Sequence, residues 1–161
     1  EWIGGGALVG GWWGGWGGCA RGERRAEASG AWRGWWVGRG EVWRGLVGGE
    51  IAAAMASNGE GAEGYAGGPW GVRAADGEFS VIHALGVLPS HHGRGFAREL
   101  VAAAKGVARG LGHKALRLDV LNGNLPAVRL YESEGFSFVS RVELFYEDTG
   151  LTDFLLYEYA L

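Results

Sequence analysis

Residues 92–97, with the sequence HGRGFA, have the composition of an anion-binding turn. A strand pattern precedes them and a helical pattern follows, so their backbone N–H groups should lie at the positive end of a helix dipole. The two glycines let a phosphate approach the backbone closely. The alternative is a glycine turn that only connects two elements. A Walker loop is excluded because no Gly-Lys-Ser/Thr follows, and a dinucleotide fingerprint is excluded because Arg98 stands in place of its last glycine.

The elements around this turn follow a strand-helix-strand pattern. Residues 78–88 alternate along a strand whose two faces are both mostly apolar, which predicts a central strand covered on both sides. From Phe96 to Leu111 apolar residues recur at helical spacing, and residues 115–121 form a second strand pattern. Two strands joined by one helix predict a right-handed crossover with parallel strands. A shorter helix follows, with Asn124 at its N-cap and Gly135 at its end.

Further strand patterns lie on both sides of this unit. Residues 50–56 are an apolar run of strand length, and residues 69–75 predict another short strand before the turn signal Asp76-Gly77. Residues 136–147 and 154–161 are strand patterns separated by a short polar turn, which predicts a hairpin. The hairpin carries acidic and aromatic side chains. A solvated surface, a site for a cationic amine and contact with a second subunit are the alternatives for it.

The composition indicates one domain spanning residues 1–161. The chain is 47% hydrophobic and 20% charged, which excludes a disordered tail and a membrane protein. Its net charge of −3 argues against nucleic acid as a partner, since that needs a basic excess. The single cysteine, Cys19, cannot form an internal disulfide, so nothing implies an oxidising compartment. We expect a cytoplasmic protein with no membrane partner.

Residues 1–48 differ in composition from the rest of the chain, because they hold 16 of its 33 Gly and 8 of its 9 Trp. A signal or membrane segment is disfavoured, since no basic region precedes the uncharged, glycine-rich residues 2–20. A glycine-tryptophan low-complexity arm is a second interpretation. We favour a third, that the residue identities in this segment are wrong, as a misread frame of guanine-rich codons would make them. The true segment is then expected to contain a strand and at least one amphipathic helix. We draw no function from these residues.

A second motif, NLPAVRLY at residues 124–131, is followed by Gly135-Phe136. With LGVLP at 85–89 and HGRGFA at 92–97, it resembles the GCN5-related N-acetyltransferases (GNAT). Their acetyl-CoA signature is Arg/Gln-x-x-Gly-x-Gly/Ala after the central strand, and their later motif has Asn before a helix, with Ala three and Tyr seven residues on. The resemblance covers residues 49–161. His92 departs from it, since the family has Arg or Gln there, and no pattern for the family's first strand and helices is recognisable in 1–48.

The resemblance implies an α/β (α+β) fold, a mixed and centrally splayed β-sheet flanked by helices. It also implies acetyl-CoA as co-substrate. Backbone groups of Leu85 and Val87 would bind the pantetheine arm where the central strands separate. The pyrophosphate would be held by the backbone amides of a run of six residues, namely His92, Gly93, Arg94, Gly95, Phe96 and Ala97.

The resemblance further implies roles for Asn124 and Tyr131. Asn124 would hydrogen-bond the cofactor near its thioester, and Tyr131 would protonate the leaving thiolate. For the general base we favour His83, because imidazole titrates near neutral pH and His83 shares strand 78–88 with Leu85 and Val87. The strand around it also resembles that of arylalkylamine-type members, where a His relays protons. The alternative is a core histidine bonded to the backbone, and Glu78 and Glu143 are further candidates for the base.

We therefore expect an acetyl-CoA-dependent N-acetyltransferase that acts on a primary amine of a small molecule or peptide. Direct attack in a ternary complex is expected because no nucleophilic Cys or Ser lies in the motifs. The alternative is a non-catalytic CoA-binding or regulatory module on the same fold. No metal is expected, since His91, His92 and His113 are not completed by a carboxylate pair. A homodimer formed through the hairpin is one of the alternatives for that surface.

Overall fold

The computed structural model describes residues 32–37, 40–61, 65–146 and 150–161. Its regular elements are seven strands and two α-helices: Trp32–Val37 (β1), Gly40–Val47 (β2), Glu50–Asn58 (β3), Phe79–Val87 (β4), Phe96–Gly110 (α1), Ala115–Leu121 (β5), Leu125–Ser133 (α2), Ser137–Tyr146 (β6) and Gly150–Ala160 (β7). Short 3-10 turns occupy Tyr65–Gly67 and Pro89–His91. The predicted central strand, both helices and the second strand are confirmed, and the hairpin turn itself lies outside the described residues.

The strands form one mixed sheet in the order β1-β2-β3-β4-β5-β7-β6. Among the described strands only β4 and β5 pair in parallel, and they are joined through α1 as the pattern predicted. All other neighbouring pairs are antiparallel. The predicted α/β fold with a mixed sheet is therefore confirmed.

The two parallel strands separate half-way along β4. Their pairing runs from Phe79 opposite Ala115 to Ile82 opposite Leu118 and stops there. On the other side of β4, the register with β3 shifts at the same point, so that His83 is an extra residue between two consecutive pairs. A bulge of this kind bends a strand and increases its twist. The bend opens a gap between the second half of β4 and the end of β5, which is the central splay that the family resemblance implied.

Two apolar cores cover the two faces of this sheet. The larger one lies under the helices and includes Leu100 and Val101 of α1. The smaller one lies on the opposite face and includes Val81 and Phe154. Eight of the nine residues of β4 are buried, as expected for a strand covered on both sides.

The predicted strand over residues 69–75 is wrong. The backbone N–H of Val72 donates to Glu158 Oε2 at 2.9 Å, and its carbonyl accepts from the Arg117 guanidinium at 2.8 Å. Both polar groups of Val72 are thus satisfied by side chains, so no neighbouring strand is needed to satisfy them. Arg117 and Glu158 also form a buried ion pair at 3.0 Å, which holds this segment against the sheet.

Two strands lie within residues 1–48: β1 pairs antiparallel with β2, and β2 pairs antiparallel with β3, with a register shift between Gly45 and Leu46. The strand expected in this segment is therefore present, in a stretch where glycine and tryptophan obscure the alternation that usually marks a strand. The amphipathic helix expected in that segment falls on residues outside the described part of the chain.

The Arg117–Glu158 pair provides a test of what holds the 69–75 segment. Glu158→Ala should lower the free energy of unfolding by about 3–5 kcal/mol, because it leaves the Arg117 charge buried without a partner. Urea denaturation would measure the change. Glu78→Ala is the matched control, since it breaks an exposed ion pair with Lys114 and should cost much less. Equal losses in the two variants would contradict the assignment.

Candidate active site

Backbone groups of Leu85 and Val87 face the gap between β4 and β5. The N–H of Leu88 donates to the carbonyl of Ala52 at 2.8 Å, so these two residues form a hydrogen-bonded pair between β4 and β3. Hydrogen-bonded and non-bonded pairs alternate along an antiparallel ladder. Val87 and Leu85 therefore occupy non-bonded positions, and their N–H and C=O groups point away from β3. Because β5 has already separated from β4, no strand pairs with these groups on the gap side, and both residues are nevertheless buried.

The turn that follows β4 leaves open space above its glycines. Gly93 and Gly95 have φ angles of +73° and +84°, a left-handed conformation that favours glycine. A Cβ atom added at either position would meet no other atom within 4 Å. Gly95 is the N-cap of α1 and supplies no side-chain acceptor to the first helical N–H groups. The backbone thus fits a phosphate at this helix N-terminus.

His92 differs from the rest of the predicted anion-binding run. Its backbone N–H already donates to the Pro89 carbonyl at 3.2 Å, within the short 3-10 turn. Its imidazole Nε2 lies 2.9 Å from the carbonyl oxygen of Val87. The N–H groups that a phosphate can use therefore begin at Gly93.

Asn124 is the N-cap of α2, as predicted. Its side-chain oxygen accepts the backbone N–H of Ala127 at 3.3 Å, and Pro126 stands in the first turn. This bond explains why the helix begins here, since Asn is among the preferred N-cap residues. The expected contact of Asn124 with a cofactor stays a prediction.

Tyr131 lies deep in the larger core, in the same cluster as Leu85 and Val87. Only 1% of it is exposed, and its ring meets Phe136 edge-on at 5.6 Å between centroids. Burial raises the pKa of Tyr131 well above its usual value, and the negative charge of Asp119 adds to the effect. The phenol is therefore protonated at neutral pH, as a proton donor must be.

Asp119 is a site residue that the sequence reasoning missed. It lies on β5 one residue beyond Leu118, the last residue of β5 that pairs with β4. Its side chain is 3% exposed and accepts a hydrogen bond from the Tyr146 hydroxyl at 3.1 Å. Desolvation raises the pKa of Asp119 to about 7, although the Tyr146 bond opposes the shift. The available signal was an acidic residue in a strand pattern that has a neighbouring strand on each side. Such a strand is buried on both faces.

His83 lies at the bulge of β4. Its Nε2 is 2.6 Å from Asn58 Oδ1, and the same oxygen accepts the backbone N–H of Glu60 at 2.8 Å. Since that atom accepts, Nε2 of His83 donates, and the acceptor nitrogen of the neutral ring is Nδ1. Burial lowers the pKa of His83, while the Glu60 backbone and charge oppose the shift. His83 is therefore mostly neutral at pH 7, the form that a base requires.

The two other predicted bases do not lie at the gap. Glu78 precedes β4 at the end remote from the turn, and it is paired with Lys114 at 2.6 Å. Glu143 is exposed on β6, the strand at the end of the sheet order. The structure thus brings Leu85, Val87 and Tyr131 into one cluster, with Phe96 and Ala97 of the turn packed against it.

A cleft of about 750 Å³ opens on the face of the sheet opposite the helices. Its lining includes Glu60, whose backbone shares the Asn58 oxygen with His83. It also includes Tyr65, whose pKa is raised mainly by burial and further by the charge of Asp119. The cleft lies at the Phe79 end of β4, and neither His83 nor Asp119 is among its lining residues.

Within the described residues, no three His, Cys, Asp or Glu side chains are grouped as a metal site would need. Neither helix of that part of the chain has the length and hydropathy to cross a membrane.

Comparison with known proteins addresses the family directly. A model of the acetyltransferase (GNAT) family matches residues 15–136, more than half of the chain. The chain belongs to this family. The GNAT match also begins well inside residues 1–48, so the relationship extends further than the 49–161 that the motifs indicated. The resemblance and the enzyme class predicted from the two motifs agree with this membership.

Similar solved structures share the GNAT fold. A Bacillus subtilis acetyltransferase in complex with CoA has a TM-score of 0.57 at 20% identity, covering 76% of this chain and 78% of that one. A GNAT family acetyltransferase from Elizabethkingia anophelis with acetyl-CoA bound has a TM-score of 0.58 at 18% identity, covering 76% and 77%. The streptothricin acetyltransferase of Streptomyces lavendulae is 36% identical over 69 residues, which span 43% of this chain and only 36% of that relative.

The raised pKa of Asp119 predicts a pH-dependent effect of Asp119→Asn on stability. In the unfolded chain the carboxyl ionises near pH 4, but in the folded protein it stays protonated until about pH 7. Between pH 4 and pH 7 the Asp119 carboxyl ionises more readily in the unfolded chain than in the folded protein. The free energy of unfolding therefore falls as pH rises through this range, by at most roughly 4 kcal/mol. The variant should gain stability over the native protein as pH rises from 4 to 7, in urea denaturation at several pH values.

Asp153→Asn is the matched control, because the pKa of Asp153 is lowered by its hydrogen bond with Arg141. That variant should be less stable than the native protein by an amount that stays constant from pH 5 to 7, because the pKa of Asp153 is lowered and its pH-dependent effect is complete near pH 4. A difference for Asp119→Asn that does not change with pH would contradict the buried-acid assignment.

Proposed function

We propose that this chain is an acetyl-CoA-dependent N-acetyltransferase that transfers an acetyl group to a primary amine by direct attack in a ternary complex. The observation that carries the proposal is the edge of β4 with which no strand pairs, beside the glycine turn. The N–H and C=O groups of Leu85 and Val87 face a gap, and the turn at its end fits a phosphate. A ligand with amide groups along a flexible arm and a pyrophosphate at its end matches both features.

The protein backbone provides most of this binding. The edge of β4 would receive the pantetheine amides much as a sheet edge receives an added strand. The N–H groups from Gly93 to Ala97 would hold the pyrophosphate at the N-terminus of α1. This arrangement directs the thioester along the gap towards the core that contains Tyr131.

The chemistry requires two proton movements. The acceptor ammonium must lose a proton before its nitrogen attacks, and the sulfur must gain one as the C–N bond forms and the C–S bond breaks. Tyr131 is the donor to sulfur, because its phenol stays protonated. The base is His83 or Asp119. His83 is mostly neutral at pH 7, and Asp119 has a pKa of about 7, so each can accept a proton near neutrality.

The acceptor amine would approach from the face of the sheet opposite the helices, where Glu60 lines the cleft and shares the Asn58 oxygen with His83. A small-molecule amine is favoured over a peptide by the streptothricin acetyltransferase match, which covers part of each chain. The alternative function is a module that binds CoA without turnover. Single-turnover assays with acetyl-CoA and a panel of amines, amino acids and peptides separate the two.

Gly95→Asp tests the pyrophosphate site. Acetyl-CoA at one hundred times its Kd should stabilise the native protein by about 2.7 kcal/mol, measured as a rise in Tm. The variant should lose this rise, because a carboxylate replaces open space at the phosphate position. Gly106→Asp, which adds the same charge on α1 away from the turn, is the matched control and should keep it. A shift that persists in Gly95→Asp would contradict the site.

Tyr131→Phe tests the proton donor. It keeps the ring and its contact with Phe136, and it should lower kcat about 10²- to 10⁴-fold, the usual range for an acid-base group, with little change in the Kd for acetyl-CoA. Tyr157→Phe is the control, since it removes a hydroxyl that bonds Glu132. If Tyr131→Phe lowers kcat less than about threefold while chemistry limits the rate, water or another group supplies the proton.

The pH profile distinguishes the two bases. The rate should rise with pH through the pKa of the base, so the acid limb of kcat/KM lies near pH 7 for Asp119 and below 6.5 for His83. His83→Gln or Asp119→Asn should abolish that limb, whichever residue is the base, and leave acetyl-CoA binding intact. An acid limb unchanged in both variants would exclude both residues.

A further inference from the structure

The imidazole of His92 occupies a backbone group in the gap. Its Nε2 lies 2.9 Å from the carbonyl oxygen of Val87, at the end of β4. This carbonyl belongs to a non-bonded pair with β3, so it points into the space that β5 has left. A carbonyl can only accept, which means that Nε2 carries the proton and donates it.

In the ligand-free protein the contact satisfies a buried carbonyl. Val87 is 8% exposed, and a buried carbonyl without a donor is costly. His92 itself is exposed and is held by its backbone bond to Pro89, so its ring reaches back five residues to cover the strand end. Since the ring stands beside β4, it also fills the position that an arm lying along this edge would take.

We propose that His92 is a displaceable cap on the Val87 carbonyl and a specificity-determining residue for ligands with a pantetheine arm. The inference rests on the proposed function. An amide N–H of the arm takes the place of Nε2–H, so binding exchanges one hydrogen bond for another. The cap therefore lowers affinity for the whole cofactor and leaves the nucleotide part unaffected.

Binding of two ligands tests the cap. CoA carries the arm, and adenosine 3′,5′-bisphosphate has the adenosine and ribose phosphate without the arm. Titration calorimetry on His92→Ala should give a CoA affinity about two- to tenfold higher than in the native protein, the worth of one neutral hydrogen bond. Affinity for the bisphosphate should stay within twofold. His92→Gln keeps an N–H donor on a flexible side chain and should resemble the native protein.

Other results overturn the cap. If His92→Ala weakens both ligands equally, His92 holds the phosphate or the turn instead. If neither affinity changes, the contact with Val87 does not compete with binding. Failure of the native protein to bind CoA refutes the proposed function itself, so the two failures are distinguished by the native titration. Melting temperatures of both variants, measured without ligand, verify that they are folded.

A direct measurement on the native protein complements the variants. In ¹⁵N-edited NMR the Nε2–H signal of His92 should be protected from exchange in the ligand-free protein. CoA should remove this protection, and adenosine 3′,5′-bisphosphate should leave it. Protection that survives saturating CoA, or that is absent from the start, contradicts a displaceable cap.

Discussion

The separation of β4 from β5 is the constraint on which the rest of the site depends. Parallel strands normally satisfy each other's backbone groups along their full length, and here the ladder stops after Ile82. The extra residue at His83 bends β4 at that point, while β3 continues to pair with it on the other side. The backbone groups that no strand satisfies therefore all face one gap. A peptide-like ligand can satisfy them, which a closed sheet would not permit.

Burial beside this gap changes the acid-base character of the side chains around it. Asp119 and Tyr131 lie where water is excluded, so their charged forms are disfavoured and their pKa values rise. The same desolvation lowers the pKa of His83. One physical cause thus favours a protonated phenol at Tyr131, a neutral imidazole at His83 and a carboxyl at Asp119 with a pKa of about 7. The core that stabilises the sheet also prepares these groups for proton transfer.

The buried Arg117–Glu158 pair has a different role, on the other face of the sheet. It satisfies both polar groups of Val72 and shapes the wall of the cleft, with the Arg117 guanidinium 4.4 Å from the Trp70 ring. At the opposite end of β4, His92 covers the Val87 carbonyl. In both places a side chain satisfies backbone groups that a neighbouring strand would otherwise satisfy, and in both an irregular segment borders a binding surface.

Patterns confined to a few neighbouring residues determined much of this protein. The N-cap of α2 at Asn124 and the glycine that follows its end, Gly135, were predictable because helix signals are local. The apolar pattern of β4 and the two glycines before α1 were predictable for the same reason. The two motifs, in order, were sufficient for the family. These features depend on backbone preference and periodicity, which each segment carries by itself.

Only the tertiary structure decided the rest. Residues 69–75 do not form the predicted strand, because the Arg117–Glu158 pair satisfies the backbone of Val72 instead. The two members of this pair are 41 positions apart in sequence. The alternation of β5 marked Asp119 as polar, but its burial required strands on both sides and a second core beneath. The bulge at His83 likewise depends on the register between β3 and β4. The hydrogen bond from His92 to Val87 depends on the turn that brings the His92 ring back to the end of β4. Burial and register arise from contacts between distant residues, and no local pattern contains them.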